Sequence, residues 1–322
     1  MTGRAAQLPD LPARADALRA RLAVCDLCPH ACGVNRLAGE TGLCRIGARA
    51  RIASICDHHG EEPAISGTRG SGTIFTAGCN LRCVFCQNHQ ISQGQLTDFV
   101  EYTAERLADA YLRLQAMGCH NVNWVTPTHV LPQLVEALAV AVARGFRLPV
   151  VYNTNGYDSV EALRLLDGVV DIYLPDMKYA DADIARRLSG APEYPDHAIA
   201  AIREMYRQVD PLVLDDDGVA VSGVIARHLV LPNGLAGSRE ALRRLAQEVS
   251  PLLTVSLMAQ YYPAHRAMRM EEVARPLTVA EYDDALDAFD AAGLEEGWMQ
   301  ELQAEATYRP DFEDEGHPFE ER

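Results

Sequence analysis

Three cysteines, Cys79, Cys83 and Cys86, stand at C-x3-C-x2-C spacing within Thr73-Ile-Phe-Thr-Ala-Gly-Cys-Asn-Leu-Arg-Cys-Val-Phe-Cys-Gln-Asn88, just after a short β-like run from Thr73 to Thr76. In so compact a loop all three thiols can point at one object. Thiolates are soft ligands suited to iron-sulfur clusters or zinc, and four of them normally complete a cluster. Three therefore leave one iron open, and an open iron can bind a small chelating molecule. Zinc motifs prefer paired C-x2-C units, so a 4Fe-4S cluster is the expectation over a zinc knuckle or three unrelated buried thiols.

A second set lies upstream. Cys25, Cys28, Cys32 and Cys44 have spacing C-x2-C-x3-C-x11-C, with Gly33, Gly39 and Gly42 supplying turns that let a chain wrap a metal. Four thiols make a closed site, either structural zinc or an electron-transfer cluster, and the sequence leaves both open. Reduced thiols in a small core are the plainer alternative. Cys56, in the alternating run Arg49 to Cys56, reads as a small buried apolar side chain. His30, His58 and His59 read as polar loop residues.

One basic residue stands apart. Of 29 basic residues 28 are Arg, and Lys178 is the sole lysine. An ammonium is a compact point charge and a guanidinium a wide planar fork, so a tight site that needs the former cannot accept the latter.

The whole composition narrows the partners. With 322 residues and 48% hydrophobic content the chain can bury a sizeable core. Its net charge of -16 opposes a broad nucleic-acid surface and favours a small-molecule or protein substrate. No stretch approaches the ~18 apolar residues of a membrane span, and the N-terminus lacks a signal-peptide core, so the cytoplasm is the expected location. Nine cysteines, all within the first 119 residues, fit metal ligation better than a disulfide framework.

These residues must be positioned by regular elements. Pro12 to Ala23 patterns as an amphipathic helix with Leu11, Ala15, Leu18 and Leu22 on one face. Glu61-Glu62-Pro63 and the glycines up to Gly72 form a turn-rich bridge. Helical patterns follow at Ala104–Met117, Leu131–Ala143, Val160–Leu166, Asp183–Leu188, Ala198–Val209, Ser238–Val249 and Val279–Ala291. Strand patterns lie at Thr73–Thr76, Asn121–Val125, Pro149–Asn153, Val169–Leu174, Gly223–Leu231 and Leu253–Met258. Alternating strands and helices predict parallel pairing, and a barrel of this kind carries its reacting groups on the loops after the strands. The expected organisation is a cysteine-rich segment over 1–68, a barrel over 69–304 and an acidic tail over 305–322 that covers the mouth or is solvated.

The cysteine loop and the β/α order resemble the radical S-adenosylmethionine (radical SAM) superfamily, and more narrowly pyruvate formate-lyase activating enzyme and relatives with a four-cysteine preface. The resemblance covers about Cys25 to Phe312. It implies an α/β fold, an open partial (β/α)6 barrel of TIM type. It also implies a cluster whose open iron binds the amino and carboxylate groups of S-adenosylmethionine and cleaves it to a 5'-deoxyadenosyl radical. Phe85, just before the third cysteine, would pack near the adenine. Where many members have Gly-Gly-Glu, this chain has Val125-Thr-Pro-Thr-His129; Thr126 is the stand-in candidate for the cofactor's amino group, and His129 a catalytic or merely polar residue. Asn153-Thr-Asn-Gly156 resembles the activating-enzyme Thr-Asn-Gly, which makes Asn155 a cofactor ligand, with a plain turn as the alternative. Asp176 and Lys178 match an Asp-x-Lys cofactor contact. Arg227 or His228 would face the cofactor carboxylate, since only one of two strand neighbours can point inward. Gln260 and Tyr261 stand near the mouth, Tyr261 equally as core. Implied partners are a reductant protein of flavodoxin or ferredoxin type and a glycyl-radical protein substrate, for which the Glu-Glu-Pro stretch also speaks. Activating enzymes place extra cysteines after the cluster loop, whereas here they precede it, which keeps a small-molecule or peptide substrate open. A metal-binding scaffold or electron carrier is the non-enzyme alternative.

Overall fold

The strands fall into one sheet in an order set by the β/α alternation. The computed structural model describes residues 2–302, 310–312, 318 and 319. Its strands are β1 (Ala50–His58), β2 (Ser71–Thr76), β3 (Val100–Tyr102), β4 (Val122–Val125), β5 (Val150–Thr154), β6 (Ile172–Pro175), β7 (Val213–Leu214), β8 (Ala220–Leu229), β9 (Thr254–Met258) and β10 (Gly297–Met299). Its α-helices are α1 (Leu11–Ala20), α2 (Pro63–Ser66), α3 (His89–Gln93), α4 (Ala104–Met117), α5 (Leu131–Ala143), α6 (Val160–Arg164), α7 (Ala182–Ser189), α8 (Tyr194–Val209), α9 (Ser238–Arg244) and α10 (Val279–Ala292).

The sheet order is β10-β9-β8-β6-β5-β4-β2-β1-β3, with β7 paired to β8. From β2 to β10 every neighbouring pair along this path is parallel, and β1 pairs antiparallel with both β2 and β3. Among the described residues β10 does not pair back to β2, so the fold is an open, partial barrel. Strands β2, β4, β5, β6 and β9 are buried along their whole length, as expected of parallel strands covered on both faces. Helix α4 shows why the covering elements form where they do: Thr103 caps it by accepting from Arg106 N, and Gly118 ends it at φ 88°. Its buried Leu107, Tyr111 and Leu114 share the main core with α5 and with Leu11, Leu18 and Leu22 of the N-terminal segment.

The structure adds three features. Strand β10 is a seventh parallel strand, too short to stand out in the sequence. The helix expected over Ser238–Val249 leaves α-geometry after Arg244 and closes as a wide π turn at Leu245–Val249. The segment before the barrel contributes β1 to the sheet itself. Most of the expected tail, 305–322, lies outside the described residues, but the rings of Phe312 and Phe319 sit 5.1 and 5.7 Å from Phe75, at the rim of the site. No helix among the described residues is long and apolar enough to cross a membrane.

Candidate active site

The C-terminal ends of the parallel strands surround a cavity of about 510 Å³. Its wall includes Cys79, Cys83, Phe85, Cys86, Thr126, Asn155, Asp176, Lys178, Arg227 and Gln260, so one space gathers residues spread over more than half the chain. The volume falls in the range of small-molecule and cofactor sites.

The cysteine loop leaves β2 through Gly78, at φ +82°, where a Cβ would stand 2.8 Å from Cys44 O. That glycine lets the two cysteine segments touch. Each thiol in the loop has a polar neighbour. Cys79 Sγ accepts from Leu81 N (3.3 Å) and Asn155 Nδ2 (3.4 Å), Ser189 Oγ donates to Cys83 Sγ (2.9 Å), and Cys86 Sγ meets Ser92 Oγ (3.2 Å). Burial pushes the Cys79 thiol up to about 12 and Cys86 to about 11, and the nearness of Cys83 adds to both. Such thiols stay neutral on their own and ionise when a cationic metal centre joins them. Three soft donors on one cavity wall, with room beside them, fit a cluster with one open iron. Among the described residues no three or more His, Cys, Asp and Glu side chains are drawn together tightly enough to hold a single metal ion, and a cluster spreads its ligands wider than one ion does.

Opposite the thiols lies a buried charge network. Asp176 Oδ2 accepts from Lys178 Nζ (2.5 Å) and its Oδ1 from Arg227 Nε (2.9 Å). Burial works to raise the Asp176 carboxyl, but the charges of Arg227 and Lys178 outweigh it and hold it below its usual value. Burial likewise opposes the Lys178 ammonium, and Asp176 reverses the sign, so its pKa is raised. Arg227 also donates to Asn153 Oδ1 (2.6 Å) and stands 3.6 Å from Glu61 Oε2. Glu61 Oε1 accepts from Asn123 Nδ2 (3.1 Å) and Asn153 Nδ2 (3.2 Å). Burial raises the pKa of both Glu61 and Glu62 against the pull of Arg227, and Glu62 Oε2 is a buried atom without a hydrogen-bond partner among the described residues. Three carboxylates thus face two cations, and burial of the surplus drives one carboxyl toward its protonated form.

The strand neighbours resolve by register. Arg227 faces the cavity, while His228 is buried with Nδ1 on Met177 O (2.6 Å) and Nε2 on Ser238 Oγ (2.9 Å). Gln260 lines the cavity; Tyr261 belongs to the core, its hydroxyl donating to Val273 O (2.6 Å) and its ring edge-on to Phe85 at 5.8 Å. Thr126 holds φ +56° at the β4 end, with its N–H on Asn153 O (2.8 Å). His129 is buried behind the wall, Nε2 on Ala77 O (2.9 Å), and burial lowers it to about 4. Gly156 has φ +81°, and a Cβ there would collide with Asp176 O. Beneath these loops the Asp158 carboxylate accepts from Thr128 (2.7 Å), Tyr152 (2.8 Å) and Thr154 (2.6 Å), tying the ends of β4 and β5 together. Sequence reasoning missed Glu61, Glu62, Asn153 and Ser256 as cavity residues. Two adjacent acids before a proline in a glycine-rich bridge were the available signal for the first pair.

In the N-terminal segment Cys25 and Cys44 are buried, Cys28 half-buried and Cys32 exposed. A Cβ on Gly42 would stand 2.5 Å from Cys32 Sγ. Burial pushes the Cys28 thiol up to about 12, and the charges of Cys44, Cys25 and Cys32 act in the same direction, so the four share one neighbourhood. Arg36 is 1% exposed and lies 3.8 Å from Cys25 Sγ; its other donors reach Gly47 O and His129 O, and it has no carboxylate partner among the described residues.

The open parallel barrel and the three-thiol loop at its mouth define a class, and comparison with known proteins agrees. The profile of the Radical SAM superfamily matches residues 73–215. Uncharacterized protein MJ0674 of Methanocaldococcus jannaschii is 33% identical over 278 residues, covering 84% of this chain and 75% of that protein. Among solved structures, methylornithine synthase (PylB) aligns with TM-score 0.45 at 15% identity, over 76% of this chain and 73% of its own. The hydrogenase maturase HydG aligns with TM-score 0.44 at 12% identity, over 74% and 53%. The chain belongs to the radical SAM superfamily. Membership implies a 4Fe-4S cluster, S-adenosylmethionine and radical chemistry that depends on it.

Proposed function

We propose that the protein is a hydrogen-abstracting radical SAM enzyme in which Cys79, Cys83 and Cys86 hold the cluster. The observation that carries this reading is the convergence of those three thiols with Asp176, Lys178 and Arg227 on one cavity. When bound, the cluster supplies the electron that cleaves S-adenosylmethionine and so generates the radical that removes hydrogen from substrate. The chain's own residues bind and orient. Lys178 and Arg227, fixed by Asp176, offer N–H donors to anionic and ribose oxygens of the cofactor. Asn155, whose amide also reaches Cys79 Sγ, fixes the loop against β5. Thr126 offers its hydroxyl at the β4 end, and Phe85, wedged edge-on between Tyr179 and Tyr261, gives an apolar face for the adenine. The largely buried wall excludes bulk water from the reacting centre.

The substrate reading is activation of a partner protein by abstraction from a glycine, supported by the Thr-Asn-Gly and Asp-x-Lys stretches. A small molecule or short peptide is the second reading, favoured by a cavity of about 510 Å³ whose lining takes in Trp298, Gln300, Pro310 and Phe319. Cys25, Cys28, Cys32 and Cys44 would hold a second metal, zinc or iron-sulfur, by closing from the looser grouping they have here, in which no three of them are near enough for a single ion. The buried Arg36 beside Cys25 supports it, because an uncompensated guanidinium is costly and a thiolate-bound metal site is net negative. Anaerobic reconstitution followed by reduction with S-adenosylmethionine should yield 5'-deoxyadenosine, and Cys79→Ala, Cys83→Ala and Cys86→Ala should each abolish it. Wild-type yields from any of these variants would refute the cluster assignment.

A further inference from the structure

Three arginines meet beside the cluster loop, and none of them lines the cavity. Arg45 Nη2 and Arg82 Nη1 both donate to Ser92 O, at 3.5 and 3.3 Å, and Arg82 Nη2 also bonds Leu43 O. Arg266 Nη2 donates to Arg82 O (2.6 Å) and to Gln93 Oε1 (3.2 Å). Among the described residues none of the three forms an ion pair, whereas most of the other arginines pair with Asp or Glu. Like charges gathered without carboxylates, in a chain of net charge -16, repel one another and need a reason.

The place supplies one. Ser92 Oγ touches Cys86 Sγ, and Gln93 Nε2 donates to Cys83 O (2.9 Å), so the residues that anchor the arginines also touch the cluster loop. Leu43 and Arg45 flank Cys44, and Gly78 brings Cys44 O against the same loop. Arg45 and Arg266 are exposed, and beside them stand two exposed apolar side chains, Leu43 (40%) and Met268 (69%). Arginine and methionine are both enriched in protein contact surfaces.

We propose that Arg45, Arg82 and Arg266, rimmed by Leu43 and Met268, form the docking surface for an acidic one-electron carrier protein, which reduces the cluster from outside the cavity. The proposal rests on the reading of Cys79, Cys83 and Cys86 as cluster ligands. One electron leaves the reduced carrier, which is oxidised by one equivalent, and enters the cluster, which is reduced by one; no bond or proton moves at the surface. The rest of this acidic protein repels an acidic carrier, so a local basic face both steers the encounter and selects where it ends. A nucleic acid would use a broader basic face than three arginines on a chain of this charge provide.

The test is the rate at which the reconstituted holoenzyme's cluster absorbance bleaches on mixing with a flavodoxin hydroquinone, against the same reaction with reduced methyl viologen, a small cation that needs no docking. Arg45→Glu with Arg266→Glu should slow the flavodoxin reaction about 10-fold or more at low salt, leave methyl viologen within about twofold, and lose the difference at high salt. Arg45→Gln with Arg266→Gln should fall between. An equal charge change elsewhere, Arg113→Glu with Arg164→Glu, should do much less. Unchanged flavodoxin rates in both patch variants, equal slowing with both donors, or equal slowing by the remote pair would each overturn the proposal. Because bleaching is read without S-adenosylmethionine, a protein that takes up electrons yet cleaves no cofactor would refute the proposed function and leave this docking surface standing.

Discussion

Replacing Lys178 separates charge from shape at the site. Its Nζ lies 2.5 Å from Asp176 Oδ2, and the two side chains are only 16% and 11% exposed, so water screens the pair little. A hydrogen bond to a charged group is worth roughly 1.5–3 kcal/mol. If Lys178 gives one to the cofactor, Lys178→Met weakens S-adenosylmethionine binding by about 10-fold to 100-fold. Fold stability should fall less than cofactor affinity, because Arg227 Nε still holds Asp176 Oδ1 at 2.9 Å. Lys178→Arg keeps the charge, yet it brings a second guanidinium to a carboxylate whose other oxygen already serves Arg227. The backbone cannot give way easily, since Lys178 N donates to Tyr194 Oη (3.0 Å) and that hydroxyl also bonds Asp176 O (2.7 Å). Lys178→Arg should therefore bind the cofactor at least about 5-fold more weakly than wild type, as two forks cannot share the space of one fork and one ammonium. Anaerobic calorimetry of the reconstituted protein reads both variants, with thermal melts as the stability control. Wild-type affinity and turnover in Lys178→Arg would refute the reasoning from the sole lysine.

Three other outcomes follow from the same geometry. Gly156→Ala should lower cofactor affinity more than its distance from the thiols suggests, because a methyl group collides with Asp176 O and φ +81° is strained for alanine; unchanged binding by calorimetry would show that the β5 and β6 loops shift freely. If the N-terminal cysteines hold a metal, Gly42→Ala should lower it, since its Cβ would stand 2.5 Å from Cys32 Sγ; in a background that keeps only those four of the seven clustered cysteines, metal content unchanged by Gly42→Ala would count against a site there. His228 is held neutral by burial, its pKa lowered from 6.5 to about 4, so the stability it contributes is present above pH 6.5 and is lost as pH falls toward 4. At pH 5 that loss is about 2 kcal/mol, and denaturant titrations of His228→Gln should show a shallower acid limb than wild type; parallel curves would refute it.

The sequence made the cysteine loop and the parallel alternation legible because both are local: a spacing and a period. Helices α4 and α5 match their expected bounds for the same reason, the apolar stripes of both and the Thr103 and Gly118 caps of α4 being local signals. What escaped is set by register and by distance along the chain. Whether Arg227 or His228 faces inward depends on how β8 lies against β6 and β9, which alternation leaves undetermined by one residue. Glu61 and Glu62 precede the barrel in a turn between β1 and β2, and only the pairing of those two strands brings it to the cavity. Strand β10 has three residues and borrows its strand character from Val255, Ser256 and Leu257 beside it.

The anchoring of the N-terminal segment has a consequence for synthesis. Arg4 N donates to Asp171 Oδ1 across 167 residues of chain, Gly3 N donates to Arg147 O, and α1 shares a core with α5. The ribosome delivers Cys25, Cys28, Cys32 and Cys44 first, yet the surfaces that anchor this segment emerge only with α5, Arg147 and Asp171. At roughly 5–20 residues per second that is an interval of many seconds during which four thiols have no partner walls. Until the barrel arrives, those four thiols on the growing chain stand open to solvent, to metal and to oxidants, so their chemistry is exposed during synthesis in a way the finished fold no longer allows.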